Sequence, residues 1–368
     1  MKKMTILLAW TLSLLAWGVI RAANPEGEVR NLIFMVGDGM GLAHVSMLMV
    51  ENGYAPTSFD RAQGVGLLCT RSANNRVTDS AAAATALATG HKTGNGTIGQ
   101  SLDGKRYESL MKRASGCGMR SGIVVSCHLQ HATPAAFYAH AASREDMQTI
   151  TRDLLASGVD VLFGGGRKWL AEECSDGGTY FDAFRRRGYT VVDRLEQTDT
   201  LRRGRVLGAF AERHLAAAPE RGDYLPRAKR NALELLTACD SLQRSGLLLI
   251  DGSLVDHEAH HSESSRLLAV LPHCDAAVGE AMDYADAHPG TLVVVVADHE
   301  TGGLSIPAND EDFTQAENGL YYNFGSERHT GTLVPAYFYG TGADRLGGVM
   351  DNTQLSRRLA RLLGLPQD

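Results

Sequence analysis

Six short apolar runs, rich in β-branched side chains and interrupted by a charge only at Asp160, recur along the chain: Leu32–Val36, Ile123–Val125, Val159–Phe163, Leu247–Ile250, Leu292–Ala297 and Val334–Tyr339. Each has strand length, and none alternates with polar residues as a half-solvated strand would. Helix-like stretches lie between them at Ala81–Ala88, Glu145–Ala156, Ala228–Ala238, Arg266–Ala287 and Leu355–Leu363. This alternation predicts an α/β fold with a large, mostly parallel central sheet covered by helices on both faces.

In such sheets ligands gather beyond the carboxyl ends of the strands. Leu32–Val36 runs into Gly37 and Asp38; Leu247–Ile250 runs into Asp251, with Asp256 and His260 close behind; Leu292–Ala297 runs into Asp298 and His299. One aspartate after a strand is ordinarily a turn former or helix cap. Three, two of them near histidines, point to a shared metal site. Aspartate and histidine without cysteine suit zinc or another borderline ion, and carboxylates with hydroxyls suit magnesium. Asp256 and His260 are four residues apart, so one helical turn or a compact loop can aim both at one ion. Asp298 and His299 are adjacent and would face opposite ways on a regular strand. Their joint ligation requires the strand to end there, and Gly302–Gly303 support a following loop.

Thr78-Asp79-Ser80 precedes the alanine-rich stretch. A Ser or Asp there serves by default as a helix N-cap. Alternatively Ser80 stands at a helix N-terminus as a nucleophile, where free N–H groups favour an anion and a metal ion lowers the hydroxyl pKa. The choice depends on whether Ser80 reaches the metal cluster. His140, His214, His273 and His288 read as structural, and nothing independent supports His261 as a ligand.

The first residues read as an address. Lys2 and Lys3 precede an apolar stretch from Ile6 to Ile20, and Ala22 and Ala23 follow. This is the layout of a secretory signal peptide, taken as residues 1–22, with one catalytic domain over 23–368. The stretch is short for a membrane span. Export permits disulfides. The six cysteines are scattered without a CxxC pair, and no pairing is assigned.

Composition narrows the class further. The 36 basic and 42 acidic residues give a net charge of −6, and 44% of residues are hydrophobic. That excludes a disordered chain and lacks the basic excess of a nucleic-acid binder. The 40 glycines among 368 residues suit tight turns and close ligand approach.

The motifs together resemble the alkaline phosphatases, two-zinc phosphomonoesterases. The matching segments are VGDGMG at 36–41, TDSAAAATALATGHKTGNGTIG at 78–99, HATPAAFYAH at 131–140 with Arg144, DGSLVDHEAHH at 251–261, ADHETGGL at 297–304 and HTG at 329–331. They span residues 32 to about 340 in the family's order. The resemblance implies that Ser80 becomes phosphoserine, that Asp256, His260 and His329 hold one zinc, and that Asp38, Asp298 and His299 hold the second. It also implies a magnesium-type third site at Asp38, Thr133 and Asp251, and a phosphoryl clamp at Arg144. Broad phosphate monoesters are the implied substrates, with an alkaline optimum.

Three departures stand out. Asp251 takes the place of the usual Glu, so its shorter side chain either reaches the third ion after a backbone adjustment or acts through water. His131 and His257 follow the animal-like pattern: His131 binds the third ion, binds through water or orders water, and His257 approaches the phosphate through water. The segment between His299 and His329, with its acidic stretch Asp310–Asp312, implies a reduced crown over the dimer interface. A homodimer, exported and most simply periplasmic, is the family expectation. A phosphodiesterase, sulfatase or phosphomutase of the same superfamily, and an exported phosphate- or metal-binding protein without turnover, are the competing readings.

Overall fold

The computed structural model describes residues 28–218, 220–237, 247–251, 254–308 and 320–367, with the main chain alone at 247–251 and 254. The proposed leader and the acidic stretch Asp310–Asp312 fall outside the described residues.

The strands are β1 Asn31–Val36, β2 Gly64–Cys69, β3 Ser121–His128, β4 Val161–Gly165, β5 Tyr189–Val192, β6 Arg205–Ala209, β7 Leu247–Asp251, β8 Thr291–Val296, β9 Glu300–Thr301, β10 Leu304–Ser305, β11 Asn323–Phe324, β12 His329–Thr330, β13 Val334–Gly340 and β14 Gly348–Asp351. Ten of them form one sheet in the order β14-β2-β13-β8-β1-β7-β3-β4-β6-β5. β13 runs antiparallel to both β8 and β2, and every other pairing in the sheet is parallel. All six expected strands are present.

β3 and β8 are buried at every position, which requires cover on both faces and explains their continuous apolar sequence. Helix Tyr224–Thr237 packs on β3 and β4, and the long helix Ser264–Ala287 packs on β8 and β13. Helix Ser80–Thr89 is buried at all ten positions. Its alanines allow close approach to helix Asn352–Leu362 and to the short helix Ala132–Ala135. Among the described residues no helix is long and apolar enough to cross a membrane.

The three strands that deliver carboxylates, β8, β1 and β7, are immediate parallel neighbours. Val36 stands opposite both Val296 and Asp251, so Asp38, Asp298 and the helix carrying Asp256 all emerge at one edge.

Candidate active site and metal centre

β8 ends at Val296, so Asp298 and His299 lie beyond it and escape the alternation of a strand. Gly39 links the two sides of the site. Its φ is +75°, and a Cβ there would stand 2.8 Å from Asp256 Cα and 2.9 Å from Thr301 Oγ1. Its N–H donates to Asp298 Oδ1 at 3.2 Å, and its carbonyl accepts from Thr301 N at 3.1 Å. Glycine is required both for the left-handed backbone and for the space.

Asp79, not Ser80, caps the alanine helix: its Oδ1 accepts from Ala82 N at 3.0 Å. That leaves the Ser80 hydroxyl free of capping duty. It lies 3.1 Å from His299 Nε2, buried at the first turn of the helix.

Two groups of ligand atoms converge. In the first, His260 Nε2 and His329 Nε2 lie 3.3 and 3.5 Å from Asp256 Oδ1. Asp256 and His260 share one helical turn, with His260 N donating to Asp256 O at 3.0 Å. In the second, His299 Nε2 lies 3.4 Å from both Asp38 Oδ1 and Asp298 Oδ2. Asp256 also falls within ligand distance of Asp38 and His299, so the two groups adjoin.

The spacings fit metal ligands. Two atoms bound at about 2.0–2.1 Å to one tetrahedral ion lie roughly 3.3–3.4 Å apart, longer than a good hydrogen bond. The outer nitrogens are already committed, since His260 Nδ1 meets Glu327 O at 2.6 Å and His329 Nδ1 meets Thr78 O at 3.0 Å. A carbonyl accepts only, so Nδ1 carries a proton in both rings and Nε2 is the atom that each presents to Asp256. Asp298 Oδ2 is fully buried and accepts no hydrogen bond.

The electrostatics agree. Burial, with the Asp256 charge, pushes the Asp298 carboxyl up to about 7. Burial, with the His329 charge, holds His299 well below the usual imidazole range. Burial also works to raise Asp256, but His260, His299 and His329 outweigh it and hold that carboxyl low. His260 rises to about 9 through its contact with Asp256. Buried carboxylates facing imidazole nitrogens form a donor set that a divalent cation completes, taking the place of the proton that Asp256 holds on His260.

Thr301 joins the two groups. Its hydroxyl donates to Asp256 Oδ1 at 2.6 Å and lies 3.2 Å from His299 Nδ1. Having one proton, it accepts from His299 Nδ1–H, which leaves His299 Nε2 bare toward Ser80 and the carboxylates.

Thr133 Oγ1 donates to Asp38 Oδ2 at 2.8 Å, away from the Oδ1 that faces His299. Asp251 closes β7 beside them, and its side chain is outside the described residues. Arg144 Nη1 donates to Asp79 Oδ2 at 3.2 Å, and its Nη2 lies 3.4 Å from His131 Nε2. Asp79 Oδ2 also accepts from Gly96 N at 2.9 Å.

His257 contacts the ring of His131, and His214 lies against both. His214, read from the sequence as structural, thus lies beside the candidate site. Loop 210–217 carries it over β4 because Gly165 has no side chain: a Cβ there would lie 1.7 Å from Arg213 O. His140, by contrast, is held at Tyr107 O and Asp153. Thr301, His128 and Trp169, whose ring lies 4.5 Å from that of His128, are the site residues that sequence reasoning assigned no role. Of these only Thr301, two residues after His299, carried a positional signal.

A mostly parallel sheet that sets a buried serine against two adjoining Asp/His groups suits a metal-dependent ester hydrolase. The alkaline phosphatase family profile matches residues 29–319. The chain is 33% identical to alkaline phosphatase 4 of Bacillus subtilis over 309 residues, covering 80% of this chain and 66% of that one. It is 32% identical to the streptomycin-6-phosphate phosphatase of Streptomyces griseus, covering 93% and 92%. The solved alkaline phosphatase of the Antarctic bacterium TAB5 superposes with a TM-score of 0.85 at 27% identity, over 92% of this chain and 100% of that one. A mutant of that enzyme, with a histidine changed to aspartate, holds magnesium in its M3 site. The chain belongs to the alkaline phosphatase family and is a hydrolase of phosphate monoesters.

Proposed function

We propose that Ser80 is the nucleophile and Arg144 the phosphoryl clamp. Asp256, His260 and His329 would hold one zinc, and Asp38, Asp298 and His299 the other. The observation that carries this is the Ser80 hydroxyl, uncapped and 3.1 Å from His299 Nε2 amid both ligand groups. The zinc pair, when bound, supplies Lewis acidity that lowers the Ser80 pKa and neutralises charge on the leaving oxygen.

Ser80 Oγ, having lost its proton, attacks phosphorus in line with the ester oxygen. The P–O bond to the alcohol breaks as the Ser80–phosphate bond forms, and water then hydrolyses the phosphoserine. The Arg144 fork binds two phosphoryl oxygens, held in aim by Asp79. Nothing in this scheme requires contact with the alcohol, which supports broad monoester specificity, and the family resemblance supports an alkaline optimum. Asp38 Oδ2, Thr133 and Asp251, with His131 alongside, would take a third, magnesium-type ion. His257 would meet the phosphate through water. The family pattern supports a homodimer of one catalytic domain, residues 23–368, exported through the leader 1–22 to the periplasm.

Phosphate release from an aryl phosphate at alkaline pH, by protein loaded with zinc and magnesium, tests the reading. Turnover stops with a chelator and falls at least ~1000-fold in Ser80→Ala, and acid quenching traps phosphate on Ser80. Full turnover by Ser80→Ala sinks the assignment.

A further inference from the structure

Four histidines from four separate segments meet on the Arg144 side of the site. His128 ends β3, His131 precedes the Ala132–Ala135 helix, His214 lies on the loop after β6, and His257 lies on helix Leu254–Ala259. The ring centroids are 4.6 Å apart for His128–His214, 4.8 Å for His214–His257, 5.5 Å for His128–His131 and 5.8 Å for His131–His214. His260 and His329, which flank Asp256, are separated by 5.3 Å, in the same range. The Nδ1 atoms of His128, His131 and His214 are buried without any hydrogen-bond partner. Both His128 and His131 are more than nine-tenths buried. Three buried nitrogens without partners are costly unless something fills the space between the rings.

We propose that His128, His131, His214 and His257 form a nitrogen-donor site for a borderline divalent cation, separate from the zinc pair and adjoining, at His131, the oxygen donors Asp38 and Thr133. Among the described residues only the Asp256 and Asp38 groups bring their ligand atoms within 4.8 Å of one another, so sharing an ion requires the four rings to turn about their side-chain bonds. The donor chemistry sets the selectivity. No carboxylate hydrogen-bonds to any of the four rings among the described residues, and the cations Arg144 and Arg213 lie nearby. An ion that depends on anionic oxygen ligands, as magnesium does, finds none in the cluster. An ion with strong affinity for imidazole, such as zinc, cobalt or nickel, binds through the lone pairs. The site has a structural basis in Gly165, which admits the loop that brings His214 to His128. The inference goes beyond the hydrolytic reading and does not depend on which ester is cleaved.

The test is cobalt binding to metal-stripped protein in excess magnesium, read by metal content and by the visible spectrum of the bound ion. Magnesium saturates an oxygen site, so wild type takes three cobalt ions per chain. His128→Ala/His214→Ala takes two, and His214→Gln weakens the third ion about tenfold or more. Circular dichroism and retention of the first two ions show that the variants are folded. Two ions in wild type, or three in the double variant, overturn the proposal. A chain that takes three ions yet releases no phosphate from aryl phosphate keeps this site and loses the hydrolytic assignment, so the two failures are distinguishable.

Discussion

Replacing Thr301 by valine removes one hydroxyl and leaves a β-branched side chain of nearly the same volume in the two-residue strand β9. Thr301 is fully buried, so no water replaces the lost group directly. The hydroxyl makes a 2.6 Å hydrogen bond to Asp256 and a 3.2 Å contact to His299, one residue from each ligand group. A hydrogen bond to a charged group contributes about 1.5–3 kcal/mol, or roughly ten- to a hundredfold in an equilibrium constant. Outer partners of metal ligands carry effects of the same size, about 10–100-fold in metal affinity or activity. Thr301→Val should therefore weaken zinc retention ~10–100-fold against a graded series of chelators. It also frees the His299 ring to change tautomer, so excess zinc should restore only part of kcat/KM. A zinc affinity and a kcat/KM both within about threefold of wild type would refute the bridge.

Asp79→Ala removes the cap on Ala82 N, the acceptor for Gly96 N and the anchor of Arg144 at once. Denaturant melts should show a loss of about 1 kcal/mol, and inhibition by inorganic phosphate should weaken several-fold as Arg144 loses its aim; an unchanged inhibition constant counts against the anchoring role. Lys229 is buried against Ala277 O and Glu280, and burial lowers its pKa to about 8 from 10.5. Because the unfolded chain holds the proton up to a higher pH, this group makes stability rise between about pH 8 and 10.5, by ~3 kcal/mol at most. Below pH 8 both states are protonated and the cost is fully present. Lys229→Met should lack that rise when unfolding is compared at pH 7.5 and 10, and identical profiles would contradict the assignment.

The chemistry of the site was legible wherever it lay at the end of an apolar run. Leu32–Val36, Leu247–Ile250 and Leu292–Ala297 are strands buried between two layers, so their sequences are continuous and their ends easily seen. Asp38, Asp256, Asp298 and His299 follow from those ends. β2, β5, β6 and β14 escaped notice for the converse reason. Each is partly exposed, short or glycine-bearing, and shows no unbroken apolar run. The reversed direction of β13 has no sequence signature either, since a buried strand reads alike in both directions.

By itself, then, the sequence determined the elements, the strand ends and the residue types, because burial and backbone propensity act locally along the chain. Tertiary structure alone decided which of two adjacent residues caps the Ser80 helix. It alone brought Thr301 between Asp256 and His299, and it alone drew His128 and His214, 86 residues apart, into ring contact. Such pairings depend on sheet order and on single glycines such as Gly39 and Gly165, where the absence of a Cβ lets two segments touch. No local pattern encodes what a glycine will lie against.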